Sequence, residues 1–177
     1  MYTMSSRIRQ AVQEELDEIM ELIALCVQVM QAGGSDQWDE TYPNRDIIGA
    51  DIAQGNLYIY QEGAAIAGIL ALDENQAEEY KAIDWSVTEG PHLLMHRLAV
   101  HPQVQGKGIA RKLINFAEDY ALQGGYTSMR MDTYAKNEKI LALYPRLGYE
   151  RRGEFFLSER KLAFPVFEKR LSQKDKL

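Results

Sequence analysis

One cysteine in 177 residues, Cys26, leaves no internal disulfide to form, so this is not a small disulfide-stapled scaffold. Cys26 falls within an apolar helical pattern, where it reads as a small buried hydrophobe rather than a nucleophile. This cysteine usage points to a reducing compartment. The opening MYTMSSRIRQ has no apolar signal-peptide core, so the expected location is the cytoplasm. No apolar run is long enough to span a bilayer, so no membrane partner is expected. Basic charge is in deficit. Against 26 Asp and Glu there are 20 Lys and Arg, a formal net charge of −6. That balance argues against general binding to nucleic acid or an anionic surface and favours a cationic partner such as an amine. Histidine is scarce too. His92 and His96 have a spacing that puts ligands on one face of a helix but about 13 Å apart on a strand, so no metal is expected. No repeat, low-complexity tract or Pro/Gly/Ser-rich linker divides the chain, which predicts a single domain over residues 1–177.

What is present is a chain that is 46% hydrophobic and able to bury a core. A short strand is predicted at Arg7–Gln10. Leu16, Ile19, Met20, Ile23, Cys26, Val27 and Met30 recur at helical spacing and stop at Gly33-Gly34. A shorter helix is expected from about Asn44 to Gln54. Strands at Leu57–Gln61 and Ala64–Leu72 form a hairpin around Glu62-Gly63. Asp73–Gly90 is polar and reads as a loop. Leu93–Val100 is apolar on both faces, as a central strand should be. A helix carrying Ile109, Leu113, Ala117 and Tyr120 ends at Gly124-Gly125. A strand at Tyr126–Thr133, a helix at Asn137–Leu147 and strands at Tyr149–Leu157 and Phe164–Leu171 follow. The order β-α-α-β-β-β-α-β-α-β-β predicts an α/β fold with a mixed sheet.

The most informative stretch is His96–Ala110, HRLAVHPQVQGKGIA, an apolar strand that runs through a two-glycine loop into a helix. Backbone N–H groups in such a loop are not shielded by side chains, and a helix N-terminus favours negative charge. The stretch therefore looks built to hold a phosphate-bearing ligand. It is not a P-loop, because Gly106-Lys107-Gly108 is followed by Ile109-Ala110 and lacks the Mg²⁺-binding hydroxyl. Nor is it a dinucleotide fingerprint, since Arg111 stands where a third small residue is needed. Gln103-Val104-Gln105-Gly106-Lys107-Gly108 does fit the pattern Gln/Arg-x-x-Gly-x-Gly/Ala.

LAVHP before this loop, Asn137 opening the next helix, and Tyr144 in LYPRLGY complete an ordered set. Together they resemble the GNAT superfamily of acyl-CoA-dependent N-acetyltransferases, most strongly from Leu94 to Tyr149 and, in QWDETYPN, like small bacterial members of unassigned substrate. The resemblance implies a mixed, mostly antiparallel central sheet flanked by helices. Two splayed central strands, here Leu93–Val100 and Tyr126–Thr133, would leave a V-shaped cofactor gap. It implies acetyl-CoA as co-substrate, with main-chain partners near the thioester from Leu98, Ala99 and Val100. The pyrophosphate would be cradled by the N–H groups of Gln105, Gly106, Lys107, Gly108, Ile109 and Ala110, with Lys107 and Arg111 adding charge. Asn137 matches the family Asn that contacts the cofactor, and an Asn there also suits a helix N-cap. Tyr144 matches the tyrosine that protonates the departing thiolate. Pro145 directly follows it, and a proline within a helix costs about 3 kcal/mol and disfavours helical geometry at the preceding residue.

A base is needed to free an amine. Asp132, five residues before Asn137, matches the carboxylate that some family members use, or else it pairs with Arg130. His96 and a water chain are the other candidates. The acceptor is expected near Trp38 and Asp39, which combine aromatic surface with negative charge, though Trp38 equally suits a hydrophobic cap over the first helix. The activity so implied is direct acetyl transfer to a primary amine of a small molecule or peptide, in a monomer or homodimer. A non-catalytic acyl-CoA sensor on the same fold and a transferase for a longer acyl group are the alternatives.

Overall fold

The structure, a computed structural model, describes residues 7–172. The first six residues of the segment read for a targeting signal lie outside the described residues. Eleven main elements follow in the predicted order. They are β1 (Arg7–Gln10), α1 (Leu16–Ala32), α2 (Arg45–Ala53), β2 (Leu57–Glu62), β3 (Ala65–Asp73), β4 (His92–Val100), α3 (Ile109–Gln123), β5 (Ser128–Asp132), α4 (Glu138–Arg146), β6 (Glu150–Phe155) and β7 (Phe164–Arg170). Short 3-10 turns occupy Gln13–Glu15, Glu78–Ala82 and Pro102–Val104. The strands are ordered β1-β2-β3-β4-β5-β7-β6. The sheet is mixed: β4 and β5 run parallel, whereas β1–β2, β2–β3, β5–β7 and β6–β7 are antiparallel. Among the described residues, no helix is long and apolar enough to cross a membrane.

The chain forms two compact units. The first takes residues up to Leu72 and Arg97–Ala117; the second takes Asp73–His96 and the residues from Glu118 on. In the first unit the apolar stripe of α1 buries Ile19, Leu22, Ile23 and Cys26 against Ile48 and Ile52 of α2 and Leu57, Ile59 and Ile69 of the β2–β3 hairpin. Asn44 caps α2 by accepting from the Ile47 N–H at 3.0 Å. The hairpin turn falls on Gly63-Ala64 rather than Glu62-Gly63, because the ladder runs on to Glu62 opposite Ala65. Gly63 supplies the positive φ of 62° that the turn requires.

In the second unit β5 is shorter than its hydrophobic pattern. The Tyr126 N–H turns back to the Ala121 carbonyl at 3.0 Å, so Tyr126 belongs to the end of α3. The polar segment read as a loop contains the 3-10 turn with Tyr80, which is 2% exposed and packs with Leu94 and Val166. This segment is pinned to the strands by a buried ion pair, Arg130 Nε to Glu168 Oε2 at 3.1 Å. Glu168 Oε1 also accepts from the Ser86 and Val87 N–H groups, and Arg130 stacks 4.1 Å over the Trp85 ring.

Candidate functional site

In the first unit β4 leads through the Pro102–Val104 turn into the glycine loop. The loop is tied back at both ends. The His101 N–H donates to the Ala67 carbonyl at 2.8 Å, and Gln105 Nε2 donates to the Val100 carbonyl at 3.1 Å. Cys26 Sγ also lies 3.4 Å from that carbonyl. Gly106 and Gly108 sit at φ 80° and 81°, the left-handed region, with open space where a Cβ would stand. The constraint on them is therefore conformational rather than one of crowding. The Lys112 N–H closes the first helical bond of α3 onto the Gly108 carbonyl at 3.1 Å. The N–H groups of Ile109, Ala110 and Arg111 precede the first such donor, as at any helix start, and are free of intrahelical partners. Gln105, Gly106, Lys107 and Gly108 are exposed; Ala110 is half-buried and Ile109 buried. Leu98 and Val100 are half-buried and Ala99 is buried, so the side chains of this strand pack while its backbone remains the functional candidate.

Gly68 on β3 sets where α3 begins. A Cβ there would come 3.0 Å from Leu113 Cδ1 and 3.2 Å from both Ile109 Cγ2 and the Ala99 carbonyl. The first two turns of α3 thus rest on a glycine, and the loop is held close to the strand. Lys112 Nζ adds a contact to the Tyr60 hydroxyl at 3.2 Å.

In the second unit Tyr144 is 3% exposed on α4. The helix keeps Tyr144 and Pro145 inside it, because the proline falls in the last turn, where little helix remains to disrupt. The end of α4 is a Schellman motif. The Gly148 N–H donates to the Pro145 carbonyl at 3.1 Å and the Tyr149 N–H to the Tyr144 carbonyl at 3.1 Å, with Gly148 at φ 88°. The apolar contact that accompanies such motifs is here Tyr149 against Tyr144, ring centroids 5.6 Å apart, and Phe167 meets the Tyr144 ring edge at 5.2 Å. The motif that ends the helix therefore also fixes the ring. Burial and the nearby Asp132 charge push the Tyr144 hydroxyl up, so it stays protonated at neutral pH.

Asp132 ends β5 and does not take Arg130, whose guanidinium is engaged with Glu168, Val87 and Gln76. Its Oδ2 instead accepts from the Tyr80 hydroxyl at 2.6 Å. Burial raises the Asp132 carboxyl above its ordinary range, against the opposing Tyr80 hydrogen bond and the nearby His96. His96 Nε2 sits 2.8 Å from Asp73 Oδ1. Burial works against the Asp73 charge, yet the His96 contacts and the Asn75 N–H hold its carboxyl below the usual value. The last paired positions of β4 and β5 are Leu94 and Arg130. Among the described residues, Met95 and His96 of β4 and Met131 and Asp132 of β5 continue without pairing to one another.

Asn137 is the N-cap of α4, its Oδ1 accepting from the Ile140 N–H at 3.4 Å. Trp38 and Asp39 have local work. Trp38 is 5% exposed in the apolar cluster around α1, so its ring is not presented to an acceptor. Asp39 Oδ1 accepts from the Thr41 N–H, the Thr41 hydroxyl and the Tyr42 N–H, closing the turn that ends the link. Sequence reasoning missed Gly68, Asp73, Tyr80 and the pair Asp51–Arg97. The signal for Tyr80 was an aromatic residue inside an acidic stretch, AEEYKAIDW; the others carry no local signal.

The profile of the Acetyltransferase (GNAT) family matches residues 16–149. The uncharacterized N-acetyltransferase YesJ of Bacillus subtilis is 24% identical over 164 residues, spanning 92% of this chain and 88% of that protein. A GNAT-family acetyltransferase structure from Streptococcus agalactiae is 30% identical, covers 97% of this chain and 99% of the other, and superposes with a TM-score of 0.81. The fold is shared at 18% identity with yncA of Salmonella typhimurium, a structure with acetyl-CoA (TM-score 0.71, 96% of this chain and 95% of the other). It is shared at the same identity with the PaiA N-acetyltransferase of Thermoplasma acidophilum, a complex with coenzyme A (TM-score 0.72, 95% and 100%). With three quarters of its length under the family profile and the strand–glycine loop–helix in place, this chain belongs to the GNAT family of acetyltransferases.

Proposed function

We propose that the protein transfers an acetyl group from acetyl-CoA to a primary amine, directly and without an acyl-enzyme. The observation that carries this reading is the glycine loop. Two residues in left-handed backbone, with no side chain over them, lead straight into the start of a fifteen-residue helix. Its N–H groups, from Gln105 to Ala110, suit a diphosphate, and Lys107 and Arg111 add positive charge. The neighbours with acetyl-CoA and coenzyme A support the same ligand. Asn137, as a cap, holds α4 and with it Tyr144.

The chemical roles follow from protonation. An alkylammonium is not a nucleophile until it loses a proton. Asp132 is the base, and its raised pKa brings it closer to the proton it must accept. The Leu98 N–H donates to the carbonyl oxygen as negative charge develops there. The Tyr144 hydroxyl, kept protonated by burial, donates to sulfur as the C–S bond breaks. The second proton that the nitrogen loses as the amide forms passes to the Tyr144 oxygen and restores its hydroxyl, and Asp132 gives its proton to solvent. Trp38 and Asp39 are left out of the acceptor site, since Trp38 is buried in the apolar cluster around α1 and Asp39 closes its own turn.

The test is acetyl-CoA-dependent thiol release with a panel of primary amines, with Tyr144→Phe alongside. Turnover with at least one amine and its loss in the variant are expected. Thermal stabilisation by acetyl-CoA with no turnover on any amine would favour the binding module instead. Unchanged turnover in Tyr144→Phe would remove the acid role.

A further inference from the structure

Arg97 on β4 is the one non-glycine among the described residues with positive φ, at 52°. Such a residue is strained and persists only where its surroundings fix it. Here they do. The Arg97 guanidinium forks onto both oxygens of Asp51 from α2, Nε to Oδ2 at 2.6 Å and Nη2 to Oδ1 at 2.8 Å. Its Nη1 lies 3.4 Å from the Tyr42 hydroxyl. The two charged side chains are only 11% and 10% exposed. Folding energy does not account for this arrangement. A buried ion pair is often no better for stability than apolar residues of the same volume, and the strained backbone is a loss. A glycine would relieve the strain but would carry no side chain for Asp51 to hold.

A left-handed residue within a strand breaks the alternation of peptide directions and re-aims the groups that follow, as a bulge does. The group that follows Arg97 is the N–H donor of Leu98; the Ala99 N–H alternates to the β3 side, the side on which the His101 N–H meets Ala67. We infer that Arg97 and Asp51 are positioning residues whose forked pair holds the β4 kink and so aims the Leu98 N–H at the thioester carbonyl. This rests on the acetyl-transfer reading above. α2, which has no other part in that chemistry, thereby becomes the anchor of the oxyanion donor. Lysine is no substitute for Arg97, because a single ammonium does not grip both oxygens in one plane.

The experiment uses acetyl-CoA labelled with ¹³C at the carbonyl, and steady-state kinetics with an amine the panel identifies. In the wild type the bound carbonyl resonance should lie downfield of free acetyl-CoA, the sign of a polarised carbonyl. In Asp51→Asn and Arg97→Lys it should return toward the free position. kcat should fall about tenfold or more while KM for acetyl-CoA changes by less than about threefold, as for loss of a transition-state donor. Should the single variants leave an unpaired buried charge and fail to fold, Asp51→Ala combined with Arg97→Gly removes both charges and relieves the backbone. It should show the same loss of shift. Tyr42→Phe, which leaves the fork intact, should keep the wild-type resonance. If the variants retain the wild-type resonance and kcat while melting lower, the pair supports only the fold and the inference is overturned. If the wild type binds acetyl-CoA with no displaced resonance, this donor does not touch the carbonyl and the inference is overturned as well. If the wild type binds no acetyl-CoA, the acetyl-transfer reading itself fails.

Discussion

The glycine loop of the first unit and the tyrosine–aspartate cluster of the second are built by opposite means. The loop is made of what side chains do not do: two glycines, exposed backbone and a helix start. The cluster is made of side chains held by burial. Tyr144 is packed by Tyr149 and Phe167, and Asp132 is held by Tyr80. A backbone site tolerates sequence change at every position except those whose dihedral angles it needs. A side-chain site depends on protonation, and in this one burial sets the direction of each pKa shift while neighbouring groups modify it. The first kind of site grips; the second does chemistry. Mutations in the two should separate cleanly in kinetics.

The largest effect is expected in the cluster. Tyr144→Phe removes the proton donor and should lower kcat by about 100-fold or more, the usual scale for a general acid. KM for acetyl-CoA should hardly move. A loss in KM with kcat retained would break the contrast, since it would make Tyr144 a binding residue. Asp132→Asn should cost a similar factor and should also flatten the pH profile. With the carboxyl raised by burial, the wild-type rate should climb with pH over a range above the ordinary carboxylate value of about 3.9. That climb should be missing from the variant.

The loop gives the next effect. Gly106→Val or Gly108→Val places a β-branched residue in the left-handed region, at about 1–2 kcal/mol. Acetyl-CoA KM should rise roughly tenfold, with kcat close to wild type. Gly68→Ala tests the same region from below. Leu113 and Ile109 must yield a few tenths of an ångström, so KM should rise with no change in the pH profile.

Smaller effects sharpen the cluster. Tyr80→Phe deletes a hydrogen bond that favours the Asp132 carboxylate, so the rising limb of the pH profile should move to higher pH. Asp73→Asn should act on stability. The Asp73 carboxyl is held low in the fold, so its contribution is present above the unfolded value and lost as pH falls through the folded one. The variant should melt roughly 2–4 °C lower at pH 6–7, the shift about 1 kcal/mol produces in a chain of this size. The difference should vanish once pH has fallen below the lowered folded value.

The same contrast explains what could be read in advance. The order of elements followed from pattern, because α1 and α3 each bury one repeating face and the inner strands are continuous buried runs. The loop was legible because glycine at two fixed positions is a local demand, met by residues that are neighbours in sequence. LGY after α4 was legible for the same reason, since a Schellman motif lies within six residues. Tyr80 with Asp132, and Asp51 with Arg97, were not legible. Their partners are 52 and 46 residues apart, and no local pattern announces which carboxylate meets which hydroxyl or guanidinium. Trp38 shows the converse, since an aromatic beside acidic residues suits a ligand or a core equally well until its burial is known. Asp132 was open between a base and a partner of Arg130, and the pairing is excluded because Glu168 has claimed Arg130.

Cys26 has a practical consequence. It is the chain's sole thiol, 4% exposed, and burial pushes its pKa up to about 11. It should stay silent toward a chromogenic disulfide reagent while the fold is intact. Every equivalent of colour in a spectrophotometric assay then counts coenzyme A set free. A slow extra equivalent per chain would signal unfolding in the cuvette rather than catalysis.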